Sequence, residues 1–291
     1  NSAKEDFVIK DGLWKGRTLH QLYEWAHTPW EWHAEMFAYA KNVGITLFST
    51  PFDDTAVTFL EKLNTPAYKI ASFECTDLNL IKRVASTNKP LIISTGMAND
   101  SEIGEAVETA LKFGSGELTL LHCVSGYPSP AGEYNLRTIA DMKNRFGVQV
   151  GLSDHTLNNV TAISAVALGA VMVEKHVTLD RNGGGPDDSF SLEEDGLMEL
   201  CSSTKTAWQS LGEVNYERTE AEKGNVKFRR SLYYVRALQE GDIITENDIR
   251  SVRPGFGLPP KYYDKLIGSK VTMSVEENSP VTLESVNPEL D

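Results

Sequence analysis

Short apolar runs alternate with segments of helical periodicity through the first two thirds of the chain. The runs cover residues 44–52, 67–74, 90–97, 118–128, 148–156 and 170–180. Each run is apolar with little alternation, which is typical of parallel strands buried on both faces. Between the runs, apolar positions recur at helical spacing, as in residues 53–64 and 101–114, with Ser101 and Gly114 as the expected caps of the second segment. The pattern therefore predicts six consecutive strand–helix units.

Polar residues gather where each predicted strand ends. A TIM-type barrel places its chemistry at the carboxyl ends of its strands, and an open doubly wound sheet is the alternative. A complete barrel has eight strands, and no strand is evident before residue 44. We therefore predict an α/β fold with a (β/α)8 TIM-type barrel, and we expect its first two βα units to be lacking from this chain.

The sequence changes character after a highly charged segment at residues 215–228. Beyond it, short β-like runs alternate with turns that are rich in glycine and proline, which indicates a separate small module. The predicted domains are an N-terminally incomplete barrel over residues 1–222 and a β-rich module over residues 226–291.

The charge and cysteine content of the chain limit the kinds of molecule that it is expected to bind and the compartment in which it is expected to act. The chain has 41 acidic and 28 basic residues and a net charge of −13, which argues against a nucleic acid partner but not against a small anionic substrate. Cys75, Cys123 and Cys201 show no CxxC spacing, so we expect free thiols in a reducing cytoplasm. No apolar run approaches the ~18 residues of a membrane-spanning helix, and no signal peptide is evident.

Two histidines stand at the ends of the last two predicted strands. His155 and His176 are separated by one strand–helix unit, so a barrel would bring both to the same end. Two neutral imidazoles suit Mn²⁺, Co²⁺, Fe²⁺ or Zn²⁺ and leave coordination positions for water and substrate. From spacing alone, a pair of hydrogen-bonded core histidines remains the alternative.

An ordered set of motifs resembles the sialic acid synthase family. The motifs are "YKIAS", "ISTGM", "GLSDHT", "EKHVTLD", "GPDDSFSL", "RRSLY" and "SVRPGFGL". Members condense phosphoenolpyruvate with an N-acetylated amino sugar, and "GLWKGRTLHQLYEWAHTPWEWH" is most like the pseudaminic acid synthases among them. The resemblance implies a divalent metal (Mn²⁺, Co²⁺ or Mg²⁺), a C-terminal antifreeze-like (SAF) domain and a domain-swapped homodimer. Family members also begin with two βα units that carry a catalytic glutamate and a phosphate-binding lysine.

The resemblance also implies roles for individual residues. His155 and His176 would hold the metal and act in catalysis, and Glu74 would contact the amino sugar as a catalytic acid. Tyr127 and Asp187 would lie beside the substrates, and Arg253 would reach the sugar's acetamido group from the other subunit. A phosphate needs a cation with several donors, and the residues that would supply them are Lys69, Thr50, Ser72, Ser94 and Ser153.

The expected reaction is the condensation of phosphoenolpyruvate with open-chain 2,4-diacetamido-2,4,6-trideoxy-altrose to give pseudaminic acid and phosphate. Sialic or legionaminic acid synthesis is the alternative within the family. A Schiff-base aldolase using Lys69 and a non-catalytic carbohydrate-binding protein are the alternatives outside it. Glu174 has the strand parity of His176, so it would point into the barrel, be paired or protonated, and play a supporting role.

Overall fold

The computed structural model describes residues 4–286 and divides into two units between Gly212 and Glu213. The predicted domain boundary, at residues 222–226, lies later in the chain. The helices of the first unit are α1 (Leu19–Ala26), α2 (Trp30–Val43), α3 (Asp54–Lys62), α4 (Leu78–Ala85), α5 (Asp100–Phe113), α6 (Thr138–Phe146), α7 (Val160–Ala167) and α8 (Glu194–Leu211). Its strands are β1 (Tyr68–Ile70), β2 (Leu91–Ser94), β3 (Leu118–Cys123), β4 (Gln149–Asp154) and β5 (Val173–Lys175).

Side-chain caps set where the helices begin. The Asn99 side chain accepts a hydrogen bond from the Glu102 N–H at 3.0 Å, and the Glu102 carboxylate accepts one from the Asn99 N–H at 2.8 Å. This capping box satisfies two backbone donors at the start of α5. The predicted cap, Ser101, therefore lies inside the first turn. At α3, Asp53 caps the helix in the same way through the Ala56 N–H.

The five strands form one parallel sheet in chain order. Neighbouring strands lie about 4.8 Å apart, so β1 and β5 would be separated by about 19 Å in a flat sheet. Instead, Lys69 Nζ on β1 lies 3.2 Å from Glu174 Oε2 on β5. The sheet therefore curls into part of a TIM-type barrel with these side chains inside, and the predicted fold class is confirmed.

The prediction of a strand over residues 44–52 is wrong. Residues 45–51 have no regular secondary structure, and within residues 4–286 the strand β1 pairs only with β2. Ile45 and Phe52 are 65% and 64% exposed. An apolar run is not sufficient for a strand, because the backbone N–H and C=O groups also need a neighbouring ladder. The other five predicted runs contain strands, each shorter than the run.

Strand parity separates the core from the barrel interior. On β1, Tyr68 and Ile70 belong to the core between the sheet and helices α3–α8, together with residues such as Ile93, Leu120 and Leu152. The intervening residue on β1, Lys69, faces the other side, because successive side chains of a strand point in opposite directions. Helix packing therefore fixes the face that presents Lys69 to the interior.

The second unit is a small β-rich module. Its elements are α9 (Glu220–Lys223), β6 (Ser231–Tyr234), β7 (Ile249–Val252) and α10 (Tyr263–Leu266), with β6 and β7 antiparallel. Isolated bridges such as Tyr233–Pro280 and Leu238–Val275 extend the pairing. A separate apolar core surrounds Leu232, Tyr234 and Ile249, which are all fully buried. The predicted β-rich character of this module is confirmed.

Two further sequence predictions concern the whole chain. All three cysteines are free thiols, as predicted, and Cys75 and Cys123 are buried. Among the helices of residues 4–286, none combines the length and the apolar character that crossing a membrane would require.

Candidate active site

Eight of the predicted site residues line one cavity of about 370 Å³ at the carboxyl ends of the strands. They are Thr50, Lys69, Ser72, Ser94, Tyr127, Ser153, His155 and His176. A larger cavity of about 890 Å³ lies at the opposite end of the sheet, where β2, β3 and β4 begin. Its lining is mainly apolar and contains neither histidine, so the smaller cavity is where the chemistry converges.

The imidazole rings of His155 and His176 lie edge to face, with centroids 5.3 Å apart and an angle of 63° between their planes. His155 Nδ1 lies 2.9 Å from the Val124 carbonyl oxygen, and His176 Nδ1 lies 3.4 Å from Asp187 Oδ2. The Val124 carbonyl oxygen can only accept, so His155 Nδ1 is the donor of that hydrogen bond, and the Asp187 carboxylate is an ion-pair neighbour of His176 Nδ1. Metal-bound histidines commonly have one ring nitrogen engaged in this way. One nitrogen of each ring is therefore engaged by an oxygen, which suits a metal ligand and a hydrogen-bonded core histidine alike.

The backbone around His155 is fixed from several directions. Its N–H donates to the Tyr134 hydroxyl at 2.7 Å, and its carbonyl accepts from the Ser129 N–H at 3.1 Å. Behind it, the Lys175 ammonium donates to Asp154 Oδ2 at 2.7 Å and to the Thr156 carbonyl at 2.6 Å. Burial lowers the pKa of Lys175, although the Asp154 carboxylate opposes this effect. These contacts hold the turn after β4 and thereby the His155 ring.

Glu174 is the carboxylate at the centre of the cavity's polar network. Its Oε2 pairs with the Lys69 ammonium at 3.2 Å, and its Oε1 accepts from the Ser153 hydroxyl at 2.8 Å and from Ser94 at 3.5 Å. Lys69 is nearly fully buried, so its charge needs this counterion. The expectation that Glu174 would be paired inside the barrel is met by these contacts.

The remaining cavity residues come from loops and strand ends. The Tyr127 ring lies 4.4 Å from the His155 ring and 6.1 Å from the His176 ring, centroid to centroid. The Ser72 hydroxyl accepts a hydrogen bond from the Gly96 N–H at 3.1 Å. This bond connects the segment that follows β1 with the segment that follows β2. Thr50 lines the cavity even though its segment is not a strand. The position of Thr50 therefore depends on the path of an irregular segment beside the cavity and not on pairing within the sheet.

Glu74 lies beside the cavity but does not line it. It ends a short 3₁₀ turn, Ser72–Glu74, and its buried Oε2 has no hydrogen-bond partner among residues 4–286. Burial raises the pKa of this carboxyl, with a smaller opposing effect from the Lys69 charge. An unpartnered carboxylate oxygen here is able to accept from a sugar hydroxyl or amide.

Replacing Glu74 with glutamine is expected to raise the melting temperature by a few degrees at neutral pH. The raised pKa means that the carboxyl's contribution to stability is complete below its unfolded pKa and is lost as pH rises through the folded pKa. Thermal unfolding of both proteins between pH 4 and pH 8 measures the effect. The difference should vanish at the acidic end, and an equal difference at every pH would contradict this account.

Arg253 belongs to the second unit. It lies between Val252 and Pro254, is exposed, and makes no hydrogen bond or ion pair among the residues described. Its side chain is therefore available to an external group.

Cys123 and Phe190 also contact the site histidines, and neither was among the predicted site residues. Cys123 ends β3, and its Sγ lies 3.9 Å from the Ser125 hydroxyl. Burial raises the pKa of this thiol, but hydrogen bonds with His155 and Ser72 outweigh burial and lower it overall. Phe190 packs its ring 5.0 Å from the His176 ring. The strand-end position of Cys123 was a usable signal, whereas Phe190 lies within the motif "GPDDSFSL" but at no predicted strand end.

Comparison with known proteins identifies the family. Residues 1–216 match the NeuB family, and residues 229–287 match the SAF domain. A pseudaminic acid synthase of Helicobacter pylori is 38% identical over 294 residues, covering 100% of this chain and 86% of that protein. A pseudaminic acid synthase of Campylobacter jejuni is 41% identical over 276 residues, covering 95% of this chain and 80% of that protein.

Solved structures agree with these matches. The crystal structure of an N-acetylneuraminic acid synthetase from Leptospira borgpetersenii superposes with a TM-score of 0.67 at 30% identity, covering 71% of this chain and 72% of that one. A curled parallel sheet with two inward-facing histidines and a paired lysine at its carboxyl end thus defines a barrel enzyme for small substrates. The chain belongs to the NeuB family and carries a C-terminal SAF domain.

Proposed function

We propose that this protein condenses phosphoenolpyruvate with open-chain 2,4-diacetamido-2,4,6-trideoxy-altrose and water, giving pseudaminic acid and phosphate. The relatives named pseudaminic acid synthase support the choice of sugar. The single observation that carries the reaction type is the meeting of His155, His176 and Lys69 in one cavity. This arrangement provides an anion site beside two possible metal ligands, which an aldol-type condensation of a phosphorylated enol requires.

A divalent cation fits the two histidines. Their Nδ1 atoms are engaged by the Val124 carbonyl and the Asp187 carboxylate, which orients Nε2 as the ligand atom. Within residues 4–286, no cluster of three or more His, Cys, Asp or Glu side chains offers a complete metal site. Water and substrate oxygens would therefore complete the shell. A cation bound there supplies Lewis-acid polarisation of the sugar aldehyde, and we propose Mn²⁺, Co²⁺ or Mg²⁺.

Lys69 holds the phosphate end of phosphoenolpyruvate in this proposal. Its ammonium is buried and already paired with Glu174, which favours a charged, anion-binding lysine over a nucleophilic amine. The Ser153 and Ser94 hydroxyls, now directed at Glu174, can turn to an incoming phosphate. Glu174 keeps the Lys69 charge compensated before substrate binds. Thr50 and Ser72 add donors on the same side of the cavity.

The condensation itself forms one carbon–carbon bond. C3 of phosphoenolpyruvate attacks C1 of the sugar, the aldehyde oxygen takes a proton to become a hydroxyl, and positive charge develops at C2. Water adds at C2 and loses a proton, and the resulting tetrahedral carbon expels phosphate to leave the 2-keto acid. The chain's part is to place the reactants in contact and to stabilise charge. Glu74 and Asp187 would receive the sugar's hydroxyl and amide donors.

Competition among three sugars tests the proposed function. The protein is given phosphoenolpyruvate, Mn²⁺ and an equimolar mixture of the diacetamido-trideoxy-altrose, its mannose-configured counterpart and N-acetylmannosamine. We expect the altrose-configured sugar to be consumed first, with one phosphate released for each 2-keto acid formed. Preferential use of either other sugar would reassign the protein to legionaminic or sialic acid synthesis.

We further propose that the SAF domain acts on the barrel of a second copy in a homodimer. Arg253 is exposed and without a partner in the described residues, which suits a role in binding the sugar's acetamido carbonyl. We place this reaction in the cytoplasm, and the three free thiols are in keeping with a reducing compartment.

Coexpressing His176→Ala and Arg253→Ala chains is expected to restore activity that neither variant has alone. If Arg253 acts in the neighbouring barrel, a mixed dimer contains one site with both defects and one intact site. Isolated mixed dimers should then show about half the activity of the wild-type dimer, since one of two sites is intact. Purification with two different affinity tags and a phosphate-release assay provide the measurement. Mixed dimers no more active than their parents would contradict exchange between subunits.

A further inference from the structure

An N-terminal hairpin, residues 8–18, brings a tryptophan to the site. Ile9 and Arg17 pair through their backbones at 2.9 Å, and Val8 bridges to Thr18 in antiparallel fashion. Trp14 lies in the turn of this hairpin and is half-buried, whereas Trp32 on α2 is 58% exposed. The different burial indicates that Trp14 packs against something specific.

The partner of Trp14 is the glycine-rich loop, residues 183–186. The indole Nε1 donates to the Pro186 carbonyl at 2.9 Å across a sequence separation of 172 residues. From the other side, the Gly185 N–H donates to Asp188 Oδ2 at 2.6 Å. A Cβ atom at Gly185 would lie only 2.8 Å from Asp188 Oδ2, so this close approach requires glycine. With no side chains to pack at residues 183–185, the loop is held by hydrogen bonds, which include these two and the Gly183 N–H donating to the Asp180 carbonyl at 2.9 Å.

The same indole ring contacts the cavity. Its centroid lies 5.7 Å from that of Tyr127, and the Tyr127 ring in turn packs against His155 at 4.4 Å. Asp187, which follows Pro186 directly, has its carboxylate 3.4 Å from His176 Nδ1. Trp14 therefore touches both groups that flank the histidines, the Tyr127 ring and the backbone of the loop that carries Asp187.

We propose that Trp14 is a positioning residue for the amino sugar, acting through Tyr127 and the glycine-rich loop; this inference rests on the proposed function. A shift of the Pro186 carbonyl moves the adjacent Asp187 carboxylate away from His176 and from the sugar beside it. Trp14 makes no hydrogen bond or ring contact with Lys69, Ser94 or Ser153 in the described part of the chain. Its influence should therefore fall on the sugar and spare phosphoenolpyruvate.

Two variants separate the hydrogen bond from the ring packing. Trp14→Phe keeps an aromatic ring against Tyr127 but removes the N–H donor, and Trp14→Ala removes both. Loss of one hydrogen bond predicts a roughly three- to ten-fold rise in the KM for the sugar in Trp14→Phe. Trp14→Ala should show a larger rise. The KM for phosphoenolpyruvate should stay within about two-fold. Trp32→Phe and Trp32→Ala serve as controls and should leave both KM values unchanged.

Hydrogen–deuterium exchange of the peptide that spans residues 181–190 tests the contact without relying on activity. We expect faster exchange in Trp14→Phe and Trp14→Ala than in wild type or the Trp32 variants. Unchanged exchange, or an equal rise in the KM of both substrates, would overturn the positioning role. A wild-type protein that exchanges as expected but forms no 2-keto acid would instead overturn the proposed function, while the faster exchange of the Trp14 variants would still support the contact.

Discussion

His176→Ala is expected to lower kcat by about a thousand-fold while the protein remains folded. Loss of a Lewis acid removes several kcal/mol of transition-state stabilisation, which corresponds to a factor on the order of 10³. The variant should also bind less than the wild-type amount of Mn²⁺ when both are measured by elemental analysis. His155→Ala should behave similarly, with an added loss of stability because the ring's hydrogen bond from Nδ1 to the Val124 carbonyl is also removed.

The control for the histidine variants is His27→Ala. His27 follows the last residue of α1 and is exposed, and within residues 4–286 its one side-chain hydrogen bond is from Nδ1 to the Glu24 carbonyl at 3.0 Å. The His27→Ala variant should have the kcat and the metal content of the wild-type protein. Wild-type condensation by His176→Ala in metal-free buffer would remove the metal role from the account.

Lys69→Met is expected to reduce kcat/KM for phosphoenolpyruvate by about a hundred- to a thousand-fold. The substitution removes both the hydrogen bond from the ammonium to the substrate phosphate and the ion pair between the two groups. The KM for the sugar should change little. Initial-rate kinetics with each substrate varied separately measure this split. A variant that lost sugar binding instead would contradict the placement of phosphate at Lys69.

Folding needs its own control in this experiment. Removing Lys69 leaves the Glu174 carboxylate without its cation, and because that side chain is 38% exposed, the cost is smaller than the ~3–5 kcal/mol of a fully buried pair. The double variant Lys69→Met with Glu174→Gln removes both charges and should recover most of that stability without recovering activity. Lys89→Met, which breaks the Lys89–Glu61 pair at the other end of the sheet, should affect stability modestly and leave the kinetics unchanged.

Much of the site was predictable because parallel strands bring their carboxyl ends together. Lys69, Ser94, Ser153 and His176 are far apart in sequence, yet chain-order pairing of β1 to β5 carries them to one cavity. The parity of β5 likewise placed Glu174 inside the barrel. The end of an apolar run and the parity of positions within it are properties of the segment itself, so a sequence pattern can report them.

Contacts that depend on loops were not predictable. The Trp14–Pro186 hydrogen bond spans 172 residues between two irregular segments, and neither has a periodicity that records its neighbour. The strand prediction for residues 44–52 was wrong for a related reason. The apolar residues of this segment resemble a strand, but backbone pairing also depends on a neighbouring strand, which the segment itself does not record. Only the three-dimensional arrangement shows which loops reach the histidines.

The most direct test of the account is product formation by the protein with phosphoenolpyruvate and the altrose-configured sugar, before and after EDTA treatment. We predict a 2-keto acid whose mass equals that of the sugar plus pyruvic acid, formed with Mn²⁺, abolished by EDTA and restored by added Mn²⁺. Undiminished product in EDTA, together with a borohydride-trapped adduct on Lys69, would contradict it.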